Sequence, residues 1–135
     1  MLPAVQLVIV RHAEAASGEP DELRPLTAEG RQTARALGQR LADEGVRPDA
    51  VLTSPLLRAR ETARELAQPA GVEPEPDERL APGATADGVR AAAQWRGEIV
   101  IVVGHQPDCS RIAEALTGGE EPAFAPGAML SIQLP

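Results

Sequence analysis

Two arginines and two histidines stand where chemistry is easily built: Arg11-His12, Arg58 and His105. Each histidine closes a nearly unbroken aliphatic run, Val5 to Val10 or Ile99 to Val103. Arg58 follows shortly after Thr53-Ser54, which closes a third, shorter run. A guanidinium fork beside an imidazole suits an oxyanion such as phosphate. Phosphoryl transfer asks mainly for positioning and for neutralisation of charge on the equatorial oxygens. Imidazole is also a competent covalent nucleophile, which would split hydrolysis into two steps. Each residue has a plainer reading. His12 and His105 can be hydrogen-bonded histidines at strand ends, and Arg58 can lie on a solvated helix face or pair with Glu61. A metal site is disfavoured, since two histidines lack a third ligand nearby. Cys109 falls among apolar positions at helical spacing, where a thiol is usually inert.

These residues can act together only if the fold gathers them. Val5 to Val10 reads as a strand buried on both faces, as in a parallel sheet. Ala15 to Pro25 is a polar connection. Thr27 is placed to cap a helix, with Ala34, Leu37, Gly38 and Leu41 inward and Gly45 after its end. Asp49 to Thr53 is a second strand. Ser54-Pro55 then supplies N-cap and first position of a helix reaching about Leu66, with Leu56, Ala59, Ala63 and Leu66 inward.

Pro69 to Gly88 is rich in Pro, Glu, Asp and Gly. It is expected to hold an edge strand near Val72 to Glu75 and otherwise to form a surface excursion able to serve as a lid. A short helix is predicted over Ala86 to Gln94, then a third apolar strand over Glu98 to Val103. Pro107 opens a helix with Cys109, Ile112, Ala113 and Leu116 inward, ended by Gly118-Gly119. Met129 to Leu134 alternates, as an edge strand does. Strand-helix alternation implies an α/β protein: three layers (α/β/α), a mostly parallel sheet and helices on both faces. Parallel strands end on one side of a sheet, where ligands bind. The three polar junctions should therefore meet on one rim.

The 135 residues fit one domain, 1–135, with 43% hydrophobic and 24% charged residues. One Trp, one Phe and no Tyr leave a core of Leu, Val, Ile and Ala and no aromatic platform for bases. The net charge of −7 disfavours nucleic acid and anionic membrane surfaces as partners. A single Cys excludes an internal disulfide framework and a cysteine-based zinc site. The apolar start is too short to span a membrane, and Arg11 interrupts it before a signal pattern develops. A cytoplasmic location is the resulting expectation, and a monomer is compatible with everything above.

Arg11-His12-Ala13-Glu14 resembles the RHG motif of the histidine phosphatase superfamily, which includes phosphoglycerate mutases and many acid phosphatases. Thr53 to Ala63 (Thr-Ser-Pro-Leu-Leu-Arg-Ala-Arg-Glu-Thr-Ala) resembles the family's second block, and Gly104-His105 its third. Leu26-Thr27 with Gly30 also matches. The likeness spans almost the whole chain in the right order. Length, Arg24-Pro25-Leu26-Thr27 and the lack of a cap insertion make it most similar to the SixA-type phosphohistidine phosphatases.

This resemblance implies a phosphoglycerate mutase-like fold without a cap domain. It implies His12 as a transiently phosphorylated nucleophile and Arg11, Arg58 and His105 as the rest of the phosphate pocket, with Ser54 beside them as a substrate-binding candidate. His105 is left as either phosphate ligand or proton carrier. No metal or organic cofactor is implied. The partner implied is a phosphorylated protein carrying phosphohistidine, or else a small phosphorylated molecule; a catalytically idle phosphate-binding module is a further alternative.

Two departures stand out. Ala13 replaces the usual glycine, which is tolerable where φ is negative. The family's usual acidic glutamate is missing around Arg79-Leu80-Ala81-Pro82, leaving Glu14 and Glu78 as candidate acids, each with a solvated surface position as its plainer reading. A phosphoramidate whose imidazole is protonated and an aryl phosphate have good leaving groups and need such an acid least.

Overall fold

The computed structural model describes residues 4–134. In chain order the elements are β1 (Val5–Arg11), α1 (Ala28–Asp43), β2 (Ala50–Thr53), α2 (Leu57–Ala67), β3 (Glu75–Pro76), α3 (Ala86–Ala93), β4 (Ile99–Gly104), α4 (Asp108–Thr117) and β5 (Met129–Leu134). Short 3₁₀ turns occupy Asp21–Leu23, Gln68–Ala70 and Glu78–Leu80. The five strands form one sheet in the order β3-β2-β4-β1-β5, parallel except for β5, which runs antiparallel along β1.

The aliphatic runs are continuous because the sheet is covered on both sides and successive side chains point to opposite faces. Leu7, Ile9, Leu52, Val100 and Val102 pack with Val89, Ala92, Ile112 and Ala113 from α3 and α4. Val8, Val10, Val51, Ile101 and Val103 pack on the other face with Leu37 and Leu41 of α1 and Ala59, Ala63 and Leu66 of α2. This is the expected three-layer α/β/α arrangement. Burying one such Leu, Ile or Val contributes about 1.5–3 kcal/mol, so these two layers hold the strand ends rigidly.

Register decides where the polar residues surface. Arg11 pairs with Gly104, and Thr53 with Val103. His12, Ser54 and His105 therefore leave the sheet side by side. Two glycines allow the close packing behind them. A Cβ on Gly30 would fall 2.1 Å from the Glu14 carbonyl oxygen, and one on Gly38 2.8 Å from that of Leu66. Gly30 thus lets α1 lie directly against the segment that follows His12.

The Thr27 cap is present, its side chain accepting from the Gly30 N–H, and Gly45 has φ +75° just past α1. Three boundaries differ from the sequence reading. Helix α2 begins at Leu57, and Leu56, not Ser54, precedes it without a side-chain cap. Ser54 still donates its N–H to Val103 in the sheet, so the helix cannot start until the chain has turned. Likewise α4 begins at Asp108, with Pro107 as the residue before it. The edge strand is only Glu75–Pro76, meeting the expected Val72–Glu75 at its last residue. The excursion of residues 69–88 is anchored rather than free, because Leu80 is buried in the core between its two proline-rich halves.

Candidate active site

The ends of β1 and β4 and the first turn of α2 open into a cleft of about 480 Å³, lined by His12, His105, Arg11, Arg58, Arg24, Asp21 and Glu14, with Pro82, Gln106 and Pro126 at its edges. The imidazoles of His12 and His105 lie 5.3 Å apart between ring centroids, tilted by 59°. Adjacent strand ends put them there.

His12 is buried, and its backbone N–H donates to the Gly104 carbonyl (3.0 Å), continuing the sheet by one residue. Its Nδ1 lies 2.7 Å from the Ala13 carbonyl oxygen. A carbonyl can only accept, so Nδ1 carries the proton and Nε2 keeps the lone pair. Burial lowers the pKa of His12, and Arg58, Arg11 and Arg24 push it the same way against the Ala13 carbonyl. The ring is neutral at pH 7.

His105 is pushed down to about 4, mainly by burial, then by His12 and Arg58. Its Nε2 lies 2.7 Å from Ser54 Oγ, which also accepts the Leu56 N–H at 3.2 Å. Ser54 is wholly buried and lies behind His105 instead of lining the cleft. Its sequence-based placement as a substrate-binding group is corrected accordingly: it holds a ring that borders the cleft.

Ala13 is wholly buried and has negative φ, and its methyl packs with Leu26 and Ala34. The condition for tolerating alanine there is met. Its N–H donates to Thr62 Oγ1 at 3.0 Å, and that hydroxyl donates to the Arg58 carbonyl at 2.8 Å. Thr62 thus ties the segment after His12 to the helix that carries Arg58.

Three guanidinium groups face the cleft. Arg11 Nη1 donates to the Phe124 carbonyl at 2.9 Å. Arg58 is buried and lines the cleft, so neither plainer reading holds: its face is not solvated, and Glu61 is not its partner. Glu61 accepts instead from the Leu26 N–H and from Arg31. Arg58 donates from Nη1 to the Asp21 carbonyl (2.9 Å) and from Nη2 to Asp21 Oδ2 (3.2 Å). Arg24 Nε lies 3.0 Å from Asp21 Oδ1. Partial desolvation at the mouth pushes the Asp21 carboxyl up, but Arg58 and Arg24 together hold it below the usual carboxylate range. The Nε atoms of Arg11, Arg24 and Arg58 are buried without a hydrogen-bond partner among the described residues, so the approach of Arg24 Nε to Asp21 is an ion pair and not an aligned hydrogen bond.

Glu14 is exposed at the rim, where its Oε1 accepts from Thr27 Oγ1 at 2.8 Å. Glu78, in an exposed turn, does not line the cleft. Among the described residues no group of three or more His, Cys, Asp or Glu side chains is arranged to hold a metal ion. No described helix is long and apolar enough to cross a membrane.

The cleft thus sets three guanidiniums around two neutral imidazoles. Residues 7–82 match the family model of the histidine phosphatase superfamily (branch 1). The chain belongs to this superfamily. It is 31% identical over 140 residues to phosphohistidine phosphatase SixA of Escherichia coli (strain K12), covering 96% of this chain and 86% of that one. The solved structure of protein histidine phosphatase SixA complexed with tungstate superposes with a TM-score of 0.85 at 28% identity, covering 94% of this chain and 86% of that chain. A mycobacterial glucosyl-3-phosphoglycerate phosphatase shares the fold at a TM-score of 0.73, with 15% identity and coverage of 97% and 91%.

Sequence reasoning did not single out Asp21, Arg24 or Thr62. Arg24 stood within a quoted motif, but nothing in its spacing aimed it at a strand end. Asp21 sits in an aperiodic polar connection, and Thr62 stood only inside the quoted Thr53 to Ala63 block.

Proposed function

We propose that this superfamily member is a phosphatase that works through a phosphohistidine intermediate on His12, acting on phosphohistidine borne by a protein partner. The observation that carries the reading is the 2.7 Å contact between His12 Nδ1 and the Ala13 carbonyl. It leaves Nε2 as the unprotonated nitrogen of a ring held neutral in a cleft with three guanidiniums. In the first step a Nε2–P bond forms and the P–N bond of the substrate breaks; the substrate ring, already protonated from solvent, departs as a neutral imidazole. In the second, water attacks phosphorus, the Nε2–P bond breaks, and inorganic phosphate leaves. Arg11 and Arg58 stabilise the charge that gathers on the equatorial oxygens. His105, held by Ser54, keeps a neutral ring beside the nucleophile, so neither imidazole competes with the arginines as a cation before substrate arrives.

The name of a close structural relative, complexed with tungstate, supports a tetrahedral oxyanion as the ligand. That relative's being a protein histidine phosphatase supports phosphohistidine as the substrate. Chemistry agrees: among the described residues both carboxylates of the cleft are engaged, Glu14 with Thr27 and Asp21 with Arg58, and a phosphoramidate with a protonated imidazole needs a separate acid least.

The test compares turnover of a phosphohistidine peptide, p-nitrophenyl phosphate and a sugar phosphate. Rates on the first two should far exceed the third, with an acid-labile phosphoenzyme trapped on mixing. His12→Ala should lose about 10³-fold or more of activity together with the phosphoenzyme. Equal rates on all three substrates would refute the substrate class. Full activity in His12→Ala would refute the nucleophile, and no turnover at all would favour an idle binding module.

A further inference from the structure

The anion that Arg58 and Arg24 hold in this structure belongs to the protein itself. We propose that the Asp21 carboxylate is an internal competitor, which a phosphoryl group must displace from Arg58 and Arg24, and that it keeps free phosphate and other small phosphates weakly bound. The proposal rests on the reading of Arg58 as a phosphate ligand and goes beyond it.

The geometry is that of a stand-in. One carboxylate bridges two guanidiniums, Oδ2 on Arg58 Nη2 at 3.2 Å and Oδ1 by Arg24 Nε at 3.0 Å, as two oxygens of a phosphoryl group would. The partners are unequally fixed. The Arg58 side chain is 7% exposed and sits on a helix built into the core, whereas that of Asp21 is 63% exposed. Asp21 belongs to a three-residue turn with no buried residue. The connection carrying it is tied down at its base, where Ala15 bridges Leu26 and the Ala16 N–H donates to the Pro25 carbonyl at 2.8 Å.

An ion pair open to water on its acidic side is weak and easily broken. The carboxylate can swing outward while Arg58 Nη1 keeps its bond to the Asp21 carbonyl, so the guanidinium stays aimed. A tethered carboxylate is nonetheless present at high effective concentration. Any ligand then sees an affinity reduced by the fraction of time the site is open. The same reduction hastens departure of the phosphate product, which is useful in an enzyme whose strongest cation cluster would otherwise retain it.

The experiment measures inorganic phosphate binding, as a competitive inhibition constant and by calorimetry, on the full chain and on the Asp21→Asn and Arg58→Ala variants. Asp21→Asn should bind inorganic phosphate about tenfold more tightly and lower KM for p-nitrophenyl phosphate by a similar factor. Asp21→Ala should do the same, which separates loss of charge from any new contact of the amide. Unchanged or weaker phosphate binding in both, or a fall in kcat/KM, would overturn the proposal, the fall showing that Asp21 serves to orient Arg58. Arg58→Ala should bind phosphate at least a hundredfold more weakly. Wild-type binding in that variant would overturn the Arg58 assignment itself, a result distinct from failure of the Asp21 proposal alone.

Discussion

The floor and the rim of the cleft are built on opposite principles. The floor consists of strand ends and the residues behind them: His12, His105, Ser54 and Thr62 are all buried, and each is fixed by a hydrogen bond to a specific neighbour. The rim consists of Glu14 and the connection carrying Asp21 and Arg24, where the acidic side chains are exposed. Burial at the floor costs charge, so both imidazoles are neutral. Exposure at the rim allows charge, so ion pairs collect there. Catalytic groups that must keep one tautomer belong on the first kind of surface, and groups that must exchange partners belong on the second.

Acid should separate the two regions, and this is the largest effect expected. The unfolded chain binds a proton at His105 near pH 6.5, whereas the folded chain resists until about pH 4. Between those values the unfolded state holds more protons, so stability falls as pH falls. Over that span the loss from His105 alone is on the order of 3 kcal/mol. The lowered pKa of His12 adds to it with the same sign. The depressed carboxyl of Asp21 acts lower, since its contribution is present above its unfolded value of 3.8 and fades only as pH drops further. Urea unfolding at pH 7 and pH 4.5 should show most of the loss in wild type and a clearly smaller one in His105→Gln. A wild-type profile that stays flat down to pH 4.5 would mean the floor is not the dry region described.

The floor was the part most legible in the sequence. Aliphatic runs that end in Arg11-His12 and Gly104-His105 announce buried parallel strands, and parallel strands can only deliver their ends to one side. The gathering of His12, Arg58 and His105 follows from that rule. What the sequence hid was the division of labour among neighbours. Ser54 looked like a helix cap, but its hydroxyl is shared between the Leu56 N–H and His105. Helical spacing alone left a solvated face open for Arg58 beside its place in the pocket, and its partner, Asp21, lies in a segment without periodicity. The rim was illegible for the same reason that it is adaptable: exposed connections carry no apolar pattern to fix their course.

Ser54→Ala probes whether the floor is prearranged by its second layer. The change leaves the Leu56 N–H without its acceptor and His105 Nε2 without its neighbour. Leaving such a buried group unsatisfied costs about 1–3 kcal/mol. If the ring loses its aim, kcat for p-nitrophenyl phosphate should fall about tenfold with KM little changed, since Ser54 does not line the cleft. The chain has only two histidines, so the imidazole proton resonances give a direct readout. The His105 signal should titrate at a different pH in the variant while that of His12 moves little. Wild-type kcat with an unmoved titration would leave Ser54 as packing alone.

The smallest effect is expected at the rim, in Glu14→Gln. Glu14 is exposed, and the hydrogen bond its side chain accepts from Thr27 Oγ1 at 2.8 Å can be accepted equally by an amide oxygen. Stability should therefore stay within about 0.5 kcal/mol of wild type. Turnover of aryl phosphate should change by less than about threefold, because a phenolate of low basicity departs without a proton. A sugar phosphate is the sharper probe, since its alkoxide cannot leave unaided. If Glu14→Gln removed a measurable sugar phosphatase activity while sparing the aryl substrate, Glu14 would be a general acid. The rim would then share in bond cleavage, and the separation between a fixed chemical floor and an exchanging ionic rim would have to be redrawn through this residue.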